Sequence, residues 1–495
     1  MMSSPTHSHP SSLSAFDLRA AARRAMLDNG FTPDVPAAVQ AEVAHASDQA
    51  SSSDAARARD LRQLPWSSID NDSSLDLDQL EVAESLENGD VRVRVAIADV
   101  DATVVKGSAT DQFAAANSTS VYTGVVTFPM LPDRLSTDLT SLKQDSARAS
   151  VIIEFVVESD GTIRSHDVYL GVVTNRAKLA YNNVGAWLEG QGTLAPAGTP
   201  EIQQQLRLQD SVAQRLRAVR AKAGALDLDT IEAESVVRPD QTVDIQLVPK
   251  TRASRLIEDF MIAANVAMAQ FLDAHGSPSI RRIVRTPERW DRIVALAATV
   301  GETLPAQPDA AVLSAFLVKR RAADPDHFPD LSLSVVKLIG PGVYALHTPG
   351  GDDAGHFGLA THDYTHSTAP NRRYADLVTQ RLLKAVLAGT PSPYSNDELS
   401  QIAQHCTERE DAARKVERQV RKDAAAVSMA SHVGQTFNAI VTGVTPKGTF
   451  VRVVAPPVEG RVMRGEQGLD VGDKVSVTLL STNPARGFID FGVTR

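Results

Sequence analysis

The chain has 495 residues, 43% of them hydrophobic and 22% charged, an ordinary composition for a soluble globular protein. That length excludes a single hydrophobic core and predicts about three domains. A net charge of −10 argues against a surface that coats nucleic acid throughout, yet permits a basic channel inside an acidic exterior, because the field depends on where charges sit. The lone Cys406 excludes an internal disulfide and suits a reducing compartment. The Ser/Pro/His-rich start has no apolar core for a signal peptide, and no run approaches a membrane span. The expected location is the cytoplasm, without membrane attachment.

Residues 1 to 12 read as a disordered tail. From Ser14 a capping Ser, Ala/Leu/Met at helical spacing and a Gly stop predict a helix, and a second follows from Pro36 to His45. The two would form a small helical hairpin, either of helix-turn-helix type or simply packed on the main body, the latter favoured. Residues 46–58 read as a linker or weak helix.

The stretch from Trp66 to Glu81 then places Asp70, Asp72, Asp76 and Asp78 within nine residues behind Trp66 and Ile69. Such Asp/Ser/Asn runs are about as often solvated turns as anything else. An EF-hand is excluded, because Leu75 stands where that loop needs Gly and Pro65 denies it an entering helix. Folded, like charges this close call for a cation, and hard oxygen donors suit Mg²⁺, Mn²⁺ or Ca²⁺ rather than zinc.

Val91 to Val100 alternates Arg with Val before turning wholly apolar, a strand passing from a half-exposed to a buried setting, with Asp99 as a buried or capping acid. Ser150–Val157 and His166–Val173 alternate around Asp160-Gly161 and predict a hairpin. A long helix from Glu201 to Ala223 carries Arg215, Arg217, Arg220 and Lys222, read as a solvated face. Leu256 to Asp273 predicts a helix apolar all round and therefore buried, interrupted by Glu258 and Asp259. Ala369-Pro370-Asn371 is a turn from which Arg372, Arg373 and Tyr374 start a helix. Guanidinium groups there could grip a phosphate or bridge to a carboxylate. Glu408 to Lys422 reads as a charged amphipathic helix that serves as a solvated connector. From Gly434 short strands punctuated by Gly and Asp predict a five-stranded OB barrel, in which Phe437 and Phe450 would offer stacking faces beside Lys447, Arg452 and Arg461 unless one aromatic is core.

The spacing of Asp70, Asp76 and Asp78 after a short apolar strand resembles the active-site signature of the ribonuclease II (RNB) family. VAIADVD from Val95, FPMLPDRLSTDLTSL from Phe128, LIEDFMIAANVAMA from Leu256 and HFGLATHDYTHSTAPNRRYADLVTQRLL from His356 follow in that family's order, with an S1-like end. The resemblance covers residues 60 to 430. It implies an α+β multidomain chain: a small helical domain (1–58), an RNB catalytic domain of mixed sheet and surrounding helices (59–430) and an S1 (OB-fold) β-barrel (431–495). There is no room for the cold-shock barrels of bacterial ribonuclease II.

The activity implied is 3′→5′ hydrolysis of single-stranded RNA to nucleoside 5′-monophosphates by a monomer. Mg²⁺, or alternatively Mn²⁺, would be held by Asp70, Asp76, Asp78 and Gln79, with Asp78 and Arg372 as the catalytic pair. Tyr122 would stack on the 3′ end and with Glu258 hold the terminal nucleotide, Arg372, alone or with Arg373, would steady the scissile phosphate, and Phe437 and Phe450 would hold RNA in the barrel. Leu228 stands where the family has a second aromatic clamp. Gln79 departs from the family's Asp-Asp, so one metal should bind more weakly unless Asp72 or Asp101 compensates. The alternative is a catalytically silent RNA-binding protein of the same fold.

Overall fold

A computed structural model describes residues 16–47, 52–192, 199–229, 232–238, 242–248, 250–325, 327–351 and 354–494. Ser14, the expected first cap, lies outside them. The helix it was to start, α1 (Leu18–Asp28), is capped by Asp17, whose carboxylate accepts the Ala20 N–H at 3.0 Å. Next come α2 (Ala37–His45) and α3 (Ser52–Arg57). The first two helices pack on the main body: Glu42 of α2 accepts the Ala109 and Thr110 N–H groups at the start of α4 (Ala109–Asn117).

The centre of the molecule is a seven-stranded sheet. Its strands are β1 (Arg59–Asp60), β2 (Ser67–Asp70), β3 (Gln79–Ser85), β4 (Val91–Ala98), β7 (Ala147–Val157), β8 (Ile163–Thr174) and β9 (Ala177–Ala180), in the order β1-β8-β7-β4-β3-β2-β9. A short hairpin, β5 (Val121–Tyr122) with β6 (Thr127–Phe128), stands apart from it. The alternation read in β4 has a physical counterpart: Val91, Val93 and Val95 are buried, while Arg92 and Arg94 form cross-strand ion pairs with Glu84 and Glu154. The wholly apolar end, Ala96 to Ala98, is buried. Asp160-Gly161 turns β7 into β8 as expected, with Gly161 at φ +94°.

Helices α5 (Tyr181–Leu188), α6 (Pro200–Lys222) and α7 (Arg252–Ala274) pack on β9, β3 and β7/β8 respectively. The apolar circumference of α7 puts Leu256, Phe260, Ala264 and Leu272 wholly in the core. A hairpin, β10 (Glu232–Val237) with β11 (Val243–Val248), leads into α7. After it come β12 (Ser279–Ile283), then α8 (Trp290–Thr299), α9 (Ala310–Ala323) and α10 (Phe328–Ile339), which share a separate small core of Trp290, Leu313 and Phe316. Leu228 packs on this same cluster. Strand β13 (Val343–His347) pairs with β12, and α11 (Tyr374–Ala388) follows, its Gln380 bonded to the end of β4.

The helix expected over Glu408–Lys422 is the middle of a longer one, α12 (Asn396–Met429), 34 residues long, started by a capping box between Ser395 and Glu398. Its Leu399, Ala403, Val416, Val420 and Met429 are buried, and it touches α1, β13, β11 and the C-terminal barrel. It is a spine joining the units, not a solvated linker. The barrel closes as β14-β15-β16-β18-β17, formed by β14 (Thr436–Thr445), β15 (Gly448–Val453), β16 (Glu459–Arg464), β17 (Lys474–Asn483) and β18 (Phe488–Thr494), the five-stranded OB barrel expected.

Candidate active site

The acidic stretch runs from the end of β2, through a loop, into β3. Asp70 ends β2, where its carboxylate accepts the Asn71 N–H at 2.7 Å and the Ser74 hydroxyl at 2.9 Å. Burial pushes its carboxyl above the ordinary range. Asp72 points to solvent. Asp76, half-buried, accepts the Tyr122 hydroxyl at 3.2 Å.

Asp78 is 1% exposed. One carboxylate oxygen accepts the Asn371 N–H at 3.0 Å. The other has no hydrogen bond, with the Arg372 Nε 3.4 Å away. Burial pushes this carboxyl up to about 7, against the pull of Arg372, the behaviour expected of an acid sealed from water. Gln79 is buried beside it on β3.

Arg372 and Tyr122 are brought together by main-chain stitching between residues 118–122 and 372–374: Ser120 N–H donates to the Arg372 carbonyl at 3.0 Å and Tyr374 N–H to Ser118 at 2.9 Å. Arg372 keeps its side chain 46% exposed, a cation open to a ligand while facing a buried acid. Tyr122 is 44% exposed overall, but its hydroxyl is enclosed, and burial with the nearby Asp76 raises its pKa. One ring flank is thus available for stacking. Glu417 of α12 accepts the Tyr122 N–H at 3.1 Å, a support the sequence did not disclose.

Other expected residues fall elsewhere. Arg373, adjacent to Arg372, turns inward: its Nε and Nη2 donate to Asp376 at 2.9 and 2.8 Å, and Asp376 is wholly buried. Of the two readings weighed for the arginine pair, Arg373 takes the carboxylate bridge. Glu258 is 47% exposed and ion-paired with Lys250 at 3.0 Å, whereas Asp259 is buried between Arg217 and Arg220. Those two arginines are therefore fixed to a core acid and do not form a solvated face. In the barrel Phe437 packs on the core and Phe450 is half-buried. Arg452 is committed to Asp330 of α10 at 2.8 and 3.1 Å. Phe488, 54% exposed with the Arg486 guanidinium 5.7 Å from its ring, is an open aromatic that sequence reasoning missed.

The two acids weighed as compensation for Gln79 lie in different settings. Asp72 is exposed, and Asp101 is held by Arg381 at 2.9 Å and Lys384 at 3.3 Å. Asp99 caps Ala102 and pairs with Lys384 at 2.7 Å. Among the described residues no group of three or more His, Cys, Asp or Glu side chains forms a ready metal cage. Asp78 keeps a buried oxygen without a hydrogen bond, and Asp76 repels both Asp70 and Asp78, so the loop gathers hard oxygen donors whose charges oppose one another.

Comparisons with known proteins agree with this layout. An RNB domain model matches residues 58–389, and an RNase II-type exonuclease C-terminal S1 domain matches 435–494. Ribonuclease R 1 of Lactococcus lactis is 32% identical over 405 residues, covering 80% of this chain and 48% of that protein. Ribonuclease R of Thermotoga maritima is 33% identical over 415 residues, covering 82% and 57%. The chain thus spans about half the length of the curated relatives it matches. Mycoplasma genitalium RNase R, solved with ribose-methylated single-stranded RNA, superposes with a TM-score of 0.87 at 22% identity over 97% of this chain and 78% of that one. Yeast Ssd1, described as a pseudonuclease, superposes with a TM-score of 0.69 at 18% identity over 90% and 56%. The fold, the ordered acidic site and these matches together make the chain a member of the RNB family carrying an RNase II-type S1 domain.

Proposed function

We propose that the chain is a 3′→5′ exoribonuclease that hydrolyses single-stranded RNA one phosphodiester at a time and releases nucleoside 5′-monophosphates, acting as a monomer in the cytoplasm. The observation that carries this reading is the juxtaposition at Asp78: a fully buried acid with one oxygen free of hydrogen bonds and facing an open guanidinium 3.4 Å away, and an exposed tyrosine bonded to the neighbouring Asp76. Asp70, Asp76 and Asp78, with the neutral oxygen of Gln79, would hold Mg²⁺ or Mn²⁺. Such an ion supplies a polarised water and neutralises charge developing on the scissile phosphate.

The chain's own groups do the rest. Arg372 steadies the phosphate through paired N–H donors, and its charge offsets that of the transition state. The Asn371 N–H fixes the Asp78 carboxylate so that the remaining oxygen faces Arg372. Tyr122 stacks on the terminal base, a contact worth about 1–3 kcal/mol and indifferent to sequence. Glu258 of α7, half-exposed beside Lys250, would be the second contact to the terminal nucleotide. Phe450 and Phe488 offer the barrel's aromatic surface, and Phe437 supports it from the core.

The silent RNA-binding alternative is favoured by one observation, the neutral Gln79 at a position the family fills with an acid. Labelled single-stranded RNA with purified protein and Mg²⁺ separates the two. Release of monophosphates with a short residual oligonucleotide supports hydrolysis, whereas a stable complex with intact RNA refutes it.

A further inference from the structure

We infer that Glu81 is a metal-binding carboxylate of this site, supplying from the next pleat of β3 the negative charge that Gln79 lacks; the inference rests on the reading of the acidic stretch as a divalent-cation site. Side chains two apart on a strand share a face about 7 Å apart, so Glu81 follows Gln79 along the same side of β3. The longer glutamate side chain shortens that gap.

Glu81 is 0% exposed, and neither of its carboxylate oxygens has a hydrogen-bond partner among the described residues. Ser67, opposite it on β2, likewise has an unpartnered hydroxyl. The amide of Gln209 on α6 reaches the Glu81 main-chain carbonyl and leaves the carboxylate unused. Buried polar groups are almost always satisfied, and an unpaired buried acid is among the costliest exceptions.

The position is not an isolated point in the core. The Glu81 carboxylate and that of Asp70 repel each other. The Tyr181 hydroxyl, at the start of α5 directly after the β9 residue paired with Asp70, feels Asp70, Glu81 and Arg372 together. Glu81 therefore shares the field of the proposed site. With Asp72 solvated and Asp99 and Asp101 bound to cationic side chains, it is the one acid near β3 among these whose oxygens remain free to take a cation.

The test titrates Mn²⁺ alone into the metal-stripped full chain by calorimetry, beside Glu81→Gln and the double variant Gln79→Asp/Glu81→Gln, with metal-free melting curves for each. Loss of a carboxylate ligand should weaken Mn²⁺ binding by about tenfold or more. Metal-free Glu81→Gln should melt no lower than the parent, and Asp at position 79 should restore affinity. If Glu81→Gln binds Mn²⁺ as the parent does, Glu81 is not a ligand while the metal site stands. If the parent binds no Mn²⁺, both readings fall. Should Glu81→Gln not fold, Glu81→Asp is read instead: weakened binding supports the inference and unchanged binding overturns it.

Discussion

Arg372 and Arg373 are neighbours of identical chemistry, and the structure gives them opposite roles that one pair of substitutions separates. Arg373 donates twice to Asp376, which is wholly buried and also accepts the Ala369 N–H at 2.8 Å. Removing the guanidinium leaves a buried carboxylate uncompensated, at a cost of about 3–5 kcal/mol. That is a large share of a typical folding free energy of roughly 5–15 kcal/mol, and corresponds to a melting-temperature loss of roughly 5–15 °C. Arg372 is half-exposed, and its tie to the fold is through its carbonyl, which Arg372→Ala leaves in place. Its side chain is 46% exposed, and the Asp78 carboxyl it faces, already raised to about 7 by burial, can take up a proton when the guanidinium goes, so the stability loss should stay well below that of Arg373→Ala. Hydrolysis should instead fall by about 10²–10³, the usual loss for one charge-stabilising donor. Differential scanning fluorimetry and single-turnover cleavage of a labelled oligonucleotide report the two quantities. An Arg373→Ala protein that melts like the parent but no longer cleaves RNA would refute the assignment of Arg373 to the fold.

Asp78→Asn keeps an oxygen for the Asn371 N–H but removes the charge. RNA cleavage should drop at least about 10²-fold with gel-shift affinity and melting temperature nearly unchanged, and full activity would dismiss Asp78 from the chemistry. Tyr122→Ala should weaken binding of a single-stranded 3′ end by about 1–3 kcal/mol, whereas Tyr122→Phe, which keeps the ring and loses only the bond to Asp76, should bind almost normally. Equal defects would rule out stacking. His356 is held neutral by burial and by the nearby Arg282, which push its pKa down to about 4, while its Nδ1 accepts the Leu359 N–H at 3.1 Å. The unfolded chain takes up that proton first as pH falls below about 6.5, so stability drops between there and about pH 4. His356→Asn, which can keep the cap but cannot titrate, should flatten that slope by up to about 1.4 kcal/mol per pH unit. Denaturant melts at several pH values would show it, and an unchanged slope would refute it.

The parts of the fold that were legible in the sequence are those set by local periodicity. The alternation in β4, the Asp160-Gly161 hairpin and the apolar circumference of α7 each name their own environment, because burial of a face follows from the repeat alone. Helix α12 was legible over Glu408–Lys422 but read as solvated, because its charges dominate and its buried stripe is built largely from alanine, which carries little apolar signal. Yet Ser395 and Glu398 held the start signal that would have lengthened it. In the site, the spacing of Asp70, Asp76 and Asp78 was visible. The partners that shape them were not: Asn371 lies 293 residues from Asp78, and Tyr122 lies 46 from Asp76.

A common geometry explains which member of each adjacent polar pair was misjudged. On a helix, consecutive side chains diverge by about 100°, and on a strand they face opposite sides, so two neighbours of like chemistry within one element meet different surroundings. Asp259 goes to the core, where α6 meets it with Arg217 and Arg220, and Glu258 therefore stays outside with Lys250. Arg373 goes to Asp376, and Arg372 is left for Asp78. Asp78, one residue before β3, meets Asn371, and from Gln79 onward the strand's alternation puts residues 79 and 81 on one face. Sequence names the pair, and the element's period together with one buried partner decides which member can reach a ligand. At β3 that rule moves attention from the amide of Gln79 to the carboxylate two residues further on.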